Sequence, residues 1–330
     1  MSPLDPNEYI SLILETKDII NKTVKDHIGD SILFSAGTDT SIIAYEAIKY
    51  NPNISTLTIA FKQGNPKDAQ YVKKMVQFLK LKKHETYSFD IEEALEKVPK
   101  VIKALKTFDP MDVRNSLSIY MGLTRLKEKG LSTILTGDGL DELFGYPWQF
   151  HLSEEELYKK QLDMWAEMSF SSIPLSKSLG VEVKQPYLDS KFMEWAKKLP
   201  LKVKINIHNN EKYSKWLLRK AYENIIPQEV VWRPKAPLES GTGTDTLNTV
   251  LQKQYTHIEF TEKQKTIHKT DNVQIRDKEQ LFYYETFKKI FGIPSEAFPS
   301  PNNNTKTCPQ CKGSIKTRIQ FCKICGAYPI

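Results

Sequence analysis

The tightest constraint on this chain's fold is an abrupt change of hydrophobic period. Ile32-Leu33-Phe34 is an apolar run of strand type, and Ile42–Tyr50 is spaced for one face of a helix. Between them lies only Ser35-Ala36-Gly37-Thr38-Asp39-Thr40-Ser41. Strand, tight loop and helix must therefore follow one another directly, and the next hundred residues repeat the pattern. Residues 54–61 and 85–89 read as strands, 67–81 and 91–105 as helices, and a polar break at 108–115 precedes a helix over 116–129 and a strand over 133–136. Such alternation predicts an α/β fold, a parallel sheet covered by helices, with ligands at the carboxyl ends of the strands. An amphipathic helix is expected over 6–28.

A loop of small and hydroxyl residues at a helix N-terminus offers unpaired N–H groups and the positive end of the helix dipole, which suits a phosphate. The loop is neither a Walker P-loop nor a dinucleotide fingerprint, because it has no Gly-Lys-Ser/Thr and no Gly-x-Gly-x-x-Gly. The bland alternative is an ordinary helix start capped by Asp39 or Thr40. A second strand-to-loop junction, Thr136-Gly137-Asp138-Gly139-Leu140-Asp141-Glu142, holds three carboxylates in five residues. Their mutual repulsion calls for a cation, Mg²⁺, unless the segment is an exposed acidic turn.

Beyond residue 154 the pattern is mostly helical, over 154–168, 189–199, 213–223, 247–255 and 278–291. An extended segment at 180–189, a basic patch at Lys215–Arg219 and a Pro/Gly loop carrying Arg233 and Lys235 interrupt it. Residues 256–277 show no clear period and are expected as a mobile flap. Residues 294–306 have linker composition, dividing a domain over 1–293 from a tethered module at 307–330. All four cysteines lie in that module as Cys308-x-x-Cys311 and Cys322-x-x-Cys325, the spacing of a zinc ribbon; two disulfides are the rival.

Forty per cent hydrophobic residues supply a globular core. No apolar run is long enough for a membrane span, and the N-terminus lacks a secretory pattern, so a cytoplasmic setting is expected. That setting disfavours disulfides. The net charge of +7 suits phosphate-bearing ligands or nucleic acid, but the lysines are scattered rather than massed. The six histidines form no pair of metal or triad spacing.

The Ser35–Thr40 loop resembles the Ser-Gly-Gly-x-Asp-Ser loop of ATP pyrophosphatases (the PP-loop, or adenine nucleotide alpha hydrolase, type). Taken in order with Thr136–Gly145, Val183–Asp189, Leu217-Leu218-Arg219 and Trp232-Arg233-Pro234-Lys235, it resembles the synthetase domain of asparagine synthetase over about residues 6–292. The resemblance implies a PP-loop sheet with a helical extension. It also implies ATP and Mg²⁺ as cofactors, with an acyl-adenylate formed from a carboxylate, aspartate above others, and resolved by ammonia. Ser35, Ala36, Gly37, Thr38, Asp39, Thr40 and Gly137 would bind ATP, and Asp39 and Asp141 would hold Mg²⁺. Lys235, with Arg233, would meet the pyrophosphate, Arg114 would lie near acceptor and phosphate, and Asp138 would steer the ammonia step.

Three positions depart from the family pattern: Ala36 for Gly, Asp138 for Glu and Tyr146 for a second Gly. If the backbone at residue 36 is left-handed, alanine is strained there. No cysteine precedes Cys308, so the glutaminase chemistry of the family's other half is not expected. Ammonia would come free or from a separate glutaminase or protein partner. A PP-loop tRNA-modifying enzyme, favoured by the basic charge and the zinc ribbon, and a non-catalytic nucleotide-binding scaffold are the alternatives.

Overall fold

In the computed structural model, which describes residues 5–299 and 304–330, the period change at residue 35 is a strand running through a short loop into a helix. In chain order, α1 (Pro6–Asp26), β1 (Ser31–Leu33), α2 (Thr38–Ala47), β2 (Ser55–Phe61), α3 (Ala69–Phe78) and β3 (Lys83–Phe89) come first. They are followed by α4 (Ile91–Leu105), α5 (Pro110–Glu128), β4 (Thr133–Leu135), α6 (Leu140–Phe144) and β5 (Glu182–Lys184). The sheet order is β3-β2-β1-β4-β5, with parallel pairings of β1 to β2, β1 to β4 and β4 to β5. Strand order reverses direction at β1, so the loops after β1 and β4 flank a topological switch point.

The chain forms two units. The first comprises residues up to Ile59, Asp68–Tyr87 and Gly122–Pro237; the second comprises Ala60–Lys67, Ser88–Met121 and Leu238–Ile330. The first unit's core joins Ile32 and Phe34 of the β1 edge, Ile42 and Ile43 of α2, and Leu140 and Phe144 of α6 to Tyr187, Leu217 and Tyr222. Against it stands the Lys204 ammonium. Lys204 is 1% exposed, and its ammonium lies 4.6 Å from the Trp165 ring centroid with no carboxylate among the described residues to pair it. Burial pushes its pKa down to about 7. The native state therefore binds fewer protons than the unfolded chain between about pH 7 and the ordinary lysine value of 10.5, and Lys204 makes stability rise with pH across that window. Lys204→Met is expected to add about 1–3 kcal/mol at pH 7 and to flatten that rise, as read by thermal unfolding at several pH values.

Some expectations need correction. Residues 108–115 are not a break before a helix, because α5 already starts at Pro110. Burial raises the Asp109 pKa while nearby cations and the Met111 and Asp112 N–H groups pull it down, and Pro110 stands first in the helix, where its missing N–H costs nothing. The start of the helix expected over 213–223 is instead a strand, Glu211–Ser214, paired antiparallel with Ile205–His208. Asn209 and Asn210, at φ 48° and 66°, make the two-residue turn between them. The flap expected over 256–277 contains the helix His257–Asp271, opened by a reciprocal Thr256/Glu259 capping box. The stretch expected as linker begins with the helix Pro294–Ala297 and ends in the strand Thr305–Thr307; its residues 300–303 lie outside the described ones. The cysteine segment is not loosely tethered. Phe108 N–H and Thr107 Oγ1 both donate to the Ile324 carbonyl within the second unit. No helix of the described residues is long and apolar enough to cross a membrane.

Candidate active site

The loop after β1 is closed by its own hydroxyls. Ser35 N–H donates to Thr40 Oγ1 at 3.3 Å, Gly37 N–H donates to Ser35 Oγ at 3.2 Å, and the two hydroxyls lie 3.2 Å apart. Gly37 is the N-cap of α2 and offers no side-chain cap, so neither Asp39 nor Thr40 caps the helix. The first-turn N–H groups of α2 remain without a side-chain acceptor, which is what an anion site requires. Ala36 is fully buried at φ +50°, a left-handed position for a residue with a Cβ. Ala36→Gly is expected to stabilise the fold by about 1 kcal/mol by removing that strain, measurable by denaturant unfolding.

The β4 loop approaches closely. A Cβ at Gly137 would sit 3.2 Å from both Asp39 Cβ and Thr40 Cγ2, so only glycine lets the two loops meet without displacement. Asp141, on α6, lies with Asp39 around one ammonium. Lys215 Nζ donates to Asp39 Oδ1 and Oδ2 at 2.8 and 2.6 Å and stands 2.7 Å from Asp141 Oδ1. Lys235 Nζ donates to Asp141 Oδ2 at 2.7 Å. Burial would raise the Asp141 carboxyl, but the two ammonium groups outweigh it and hold the group well below the usual carboxylate range. For Lys235, burial opposes the charge, and the Asp141 and Asp39 carboxylates overcome it and keep the amine protonated.

Asp138 is tied down through one oxygen. Its Oδ2 accepts from Thr136 Oγ1, Ser172 Oγ and Gln185 Nε2 at 2.8, 2.6 and 2.9 Å. Tyr146, the third departure, donates its hydroxyl to Glu142 Oε1 at 2.6 Å. Arg233 is turned behind the loop rather than toward a ligand. It donates to Asp68 Oδ1 at 2.7 Å and to the Ala36 carbonyl at 3.2 Å, with its guanidinium 4.1 Å from the Tyr71 ring centroid. Arg219 is spent on the carbonyls of Ser214, Val231 and Arg233.

A family model described as asparagine synthase matches residues 20–179 and 175–306, most of the chain. The chain belongs to the asparagine synthase family. Asparagine synthetase B (glutamine-hydrolyzing) of Escherichia coli strain K12 is 27% identical over 326 residues, covering 90% of this chain and 57% of its own. The asparagine synthetase (glutamine-hydrolyzing) of Gallus gallus is 27% identical over 303 residues, covering 86% and 53%. This asparagine synthase family chain thus spans a little over half the length of those relatives.

The residues fit a divalent cation at one point. Asp39 and Asp141 bring hard carboxylate oxygens to either side of the Lys215 ammonium, and buried Asp141 Oδ1 accepts no aligned hydrogen bond despite its ionic contact with that lysine, so it is the oxygen suited to a divalent cation. The cysteines fit a different ion. All four thiols are buried and lie within 4.8 Å of one another. The Cys308–Cys325 and Cys311–Cys322 Sγ pairs are each 3.7 Å apart. A tetrahedron with Zn–S bonds of about 2.3 Å has edges of about 3.8 Å, whereas a disulfide needs about 2.05 Å.

Arg114 belongs to the second unit and is held by two acids: its Nε donates to Glu239 Oε2 at 2.7 Å and its Nη1 to Glu279 Oε2 at 2.5 Å. Sequence reasoning missed Lys215 and Asp68. Lys215 was visible only as part of a basic patch; its place directly before the apolar run Trp216-Leu217-Leu218 was the available signal, since a lysine there is buried with the helix start. Asp68 gave no signal, because its partner lies 165 residues away.

Proposed function

We propose that this chain is an ATP-dependent, AMP- and pyrophosphate-forming ligase that amidates a carboxylate through an acyl-adenylate, aspartate to asparagine, with ammonia it does not itself generate. The observation that carries this reading is the pair of lysines converging on Asp39 and Asp141 beside the uncapped start of α2. The loop N–H groups and the Ser35 and Thr40 hydroxyls bind the phosphates. Asp39 and Asp141 hold Mg²⁺, which would supply charge neutralisation to the phosphates when bound.

The acceptor carboxylate oxygen attacks the α-phosphorus, and the bond to the bridging oxygen breaks. Lys235, a third exposed, stabilises the charge gathering on the departing pyrophosphate. Ammonia then adds to the acyl carbon, AMP leaves with the bonding pair, and the nitrogen sheds a proton. Asp138, whose Oδ2 is held by three donors, has the fixed carboxylate that would take that proton.

Purified protein with Mg²⁺-ATP, aspartate and ammonium should release pyrophosphate and AMP and form asparagine, followed by mass spectrometry. Pyrophosphate release that ignores aspartate while ATP still binds would overturn the choice of acceptor.

A further inference from the structure

The cysteine segment joins the rest of the second unit through three consecutive carbonyls of one knuckle. The Ile324 carbonyl accepts from Phe108 N–H at 2.8 Å and from Thr107 Oγ1 at 3.2 Å, directly before α5. The Cys325 carbonyl accepts from Gln280 Nε2 at 2.8 Å and Arg276 Nη2 at 3.0 Å, and the Gly326 carbonyl accepts from Arg276 Nη1 at 2.8 Å. Gln280 is fully buried and uses its other amide atom to accept from Arg276 N–H. Gly326 has φ +75°, and a Cβ there would lie 2.1 Å from Asp109 Oδ1, so the knuckle is seated directly on the start of α5.

The two segments gripped in this way start the two helices that bear a buried ion pair. Arg114 lies in the second turn of α5, and Glu279, fully buried, is the neighbour of Gln280 in the helix Lys278–Phe291. Asn248 Nδ2 and Tyr283 OH donate to the same Glu279 carboxylate. A ribbon this small has little core of its own, and four buried thiols hold their tetrahedral spacing through a metal.

We propose that zinc bound by Cys308, Cys311, Cys322 and Cys325 locks the starts of α5 and of the helix Lys278–Phe291 together through the knuckle carbonyls, making Gln280 and Arg276 positioning residues for the Arg114–Glu279 pair. Loss of the ion releases the carbonyls of residues 324–326 and leaves the buried donors of Thr107 and Gln280 unpaired, while the exposed Arg276 loses its two carbonyl acceptors, which favours local opening of both helix starts. This proposal does not rest on the ligase reading above.

The full chain is measured for zinc content and for backbone hydrogen exchange, as purified and after chelation. One zinc per chain is expected, with exchange over 107–117 and 276–285 accelerating at least about tenfold on metal removal while α2 stays unchanged. Gln280→Met cuts the latch without touching a metal ligand: zinc should be retained, yet exchange over 107–117 should rise by a similar factor. Absence of zinc binding, or unchanged exchange in Gln280→Met, overturns the proposal. Accelerated exchange without any aspartate-dependent turnover leaves the latch standing and counts against the ligase reading alone.

Discussion

Lys215→Met should lower pyrophosphate release by about 10²–10³-fold, the scale of losing one preorganised charge at a phosphoryl site. The Lys215 side chain is 2% exposed and its ammonium is shared between Asp39 and Asp141, so its removal leaves Lys235 as the one remaining side-chain cation described against these two carboxylates. Methionine preserves the aliphatic stem beside the start of the helix Trp216–Tyr222, which separates the electrostatic effect from a packing defect. Steady-state pyrophosphate release at saturating ATP, with a thermal melt to verify folding, reads the effect. Turnover within threefold of the parent would remove Lys215 from the chemistry.

Arg233→Met should cost about 3–5 kcal/mol of unfolding free energy, as removal of one member of a buried pair does. Arg233 is 8% exposed, and the variant strands the Asp68 carboxylate while releasing the Ala36 carbonyl that shapes the loop. Burial already raises the Asp68 pKa, with Arg233 pulling the other way. Without the arginine the native pKa rises further above the unfolded value, so the ionised form is penalised in the folded state. The sign follows: the variant's deficit is smallest near pH 4 and grows as pH rises toward neutrality. Denaturant unfolding at pH 4.5 and 7 tests it, and a deficit that shrinks as pH rises would contradict the assignment. ATP affinity should fall together with stability, because the loop backbone loses its support from behind.

Local signals carried most of what the sequence reading recovered. The 32–41 stretch works because strand period, small residues and helix period abut; the helix over 91–105 is found at its observed bounds, and the structure adds an Asp90/Glu93 capping box at its start that agrees with them. The cysteines were legible for the same reason, two short pairs sharing one segment. The failures are of two kinds. At Asp109-Pro110 and Thr256–Glu259 the signals were present but were read as breaks or as absence of pattern. At Arg233 the sequence hides a partner: a cation in a loop looks free, and only the fold reveals Asp68 behind it. Lys215 combines both, since its charge suggests solvent and its place in the fold buries it between two acids.

The division into units carries a consequence for biosynthesis. The chain passes from one unit to the other at Ile59/Ala60, Lys67/Asp68, Tyr87/Ser88, Met121/Gly122 and Pro237/Leu238, so neither unit is a continuous stretch of sequence. As the polypeptide leaves the ribosome, α4 and the first half of α5 emerge long before Leu238–Ile330, the segment that completes their unit. They must wait, with apolar faces uncovered, through the synthesis of more than a hundred further residues. A chain cut after residue 293 would still supply the helix Lys278–Phe291 that packs on α4, but it would lack the knuckle that seats on Thr107, Phe108 and Arg276.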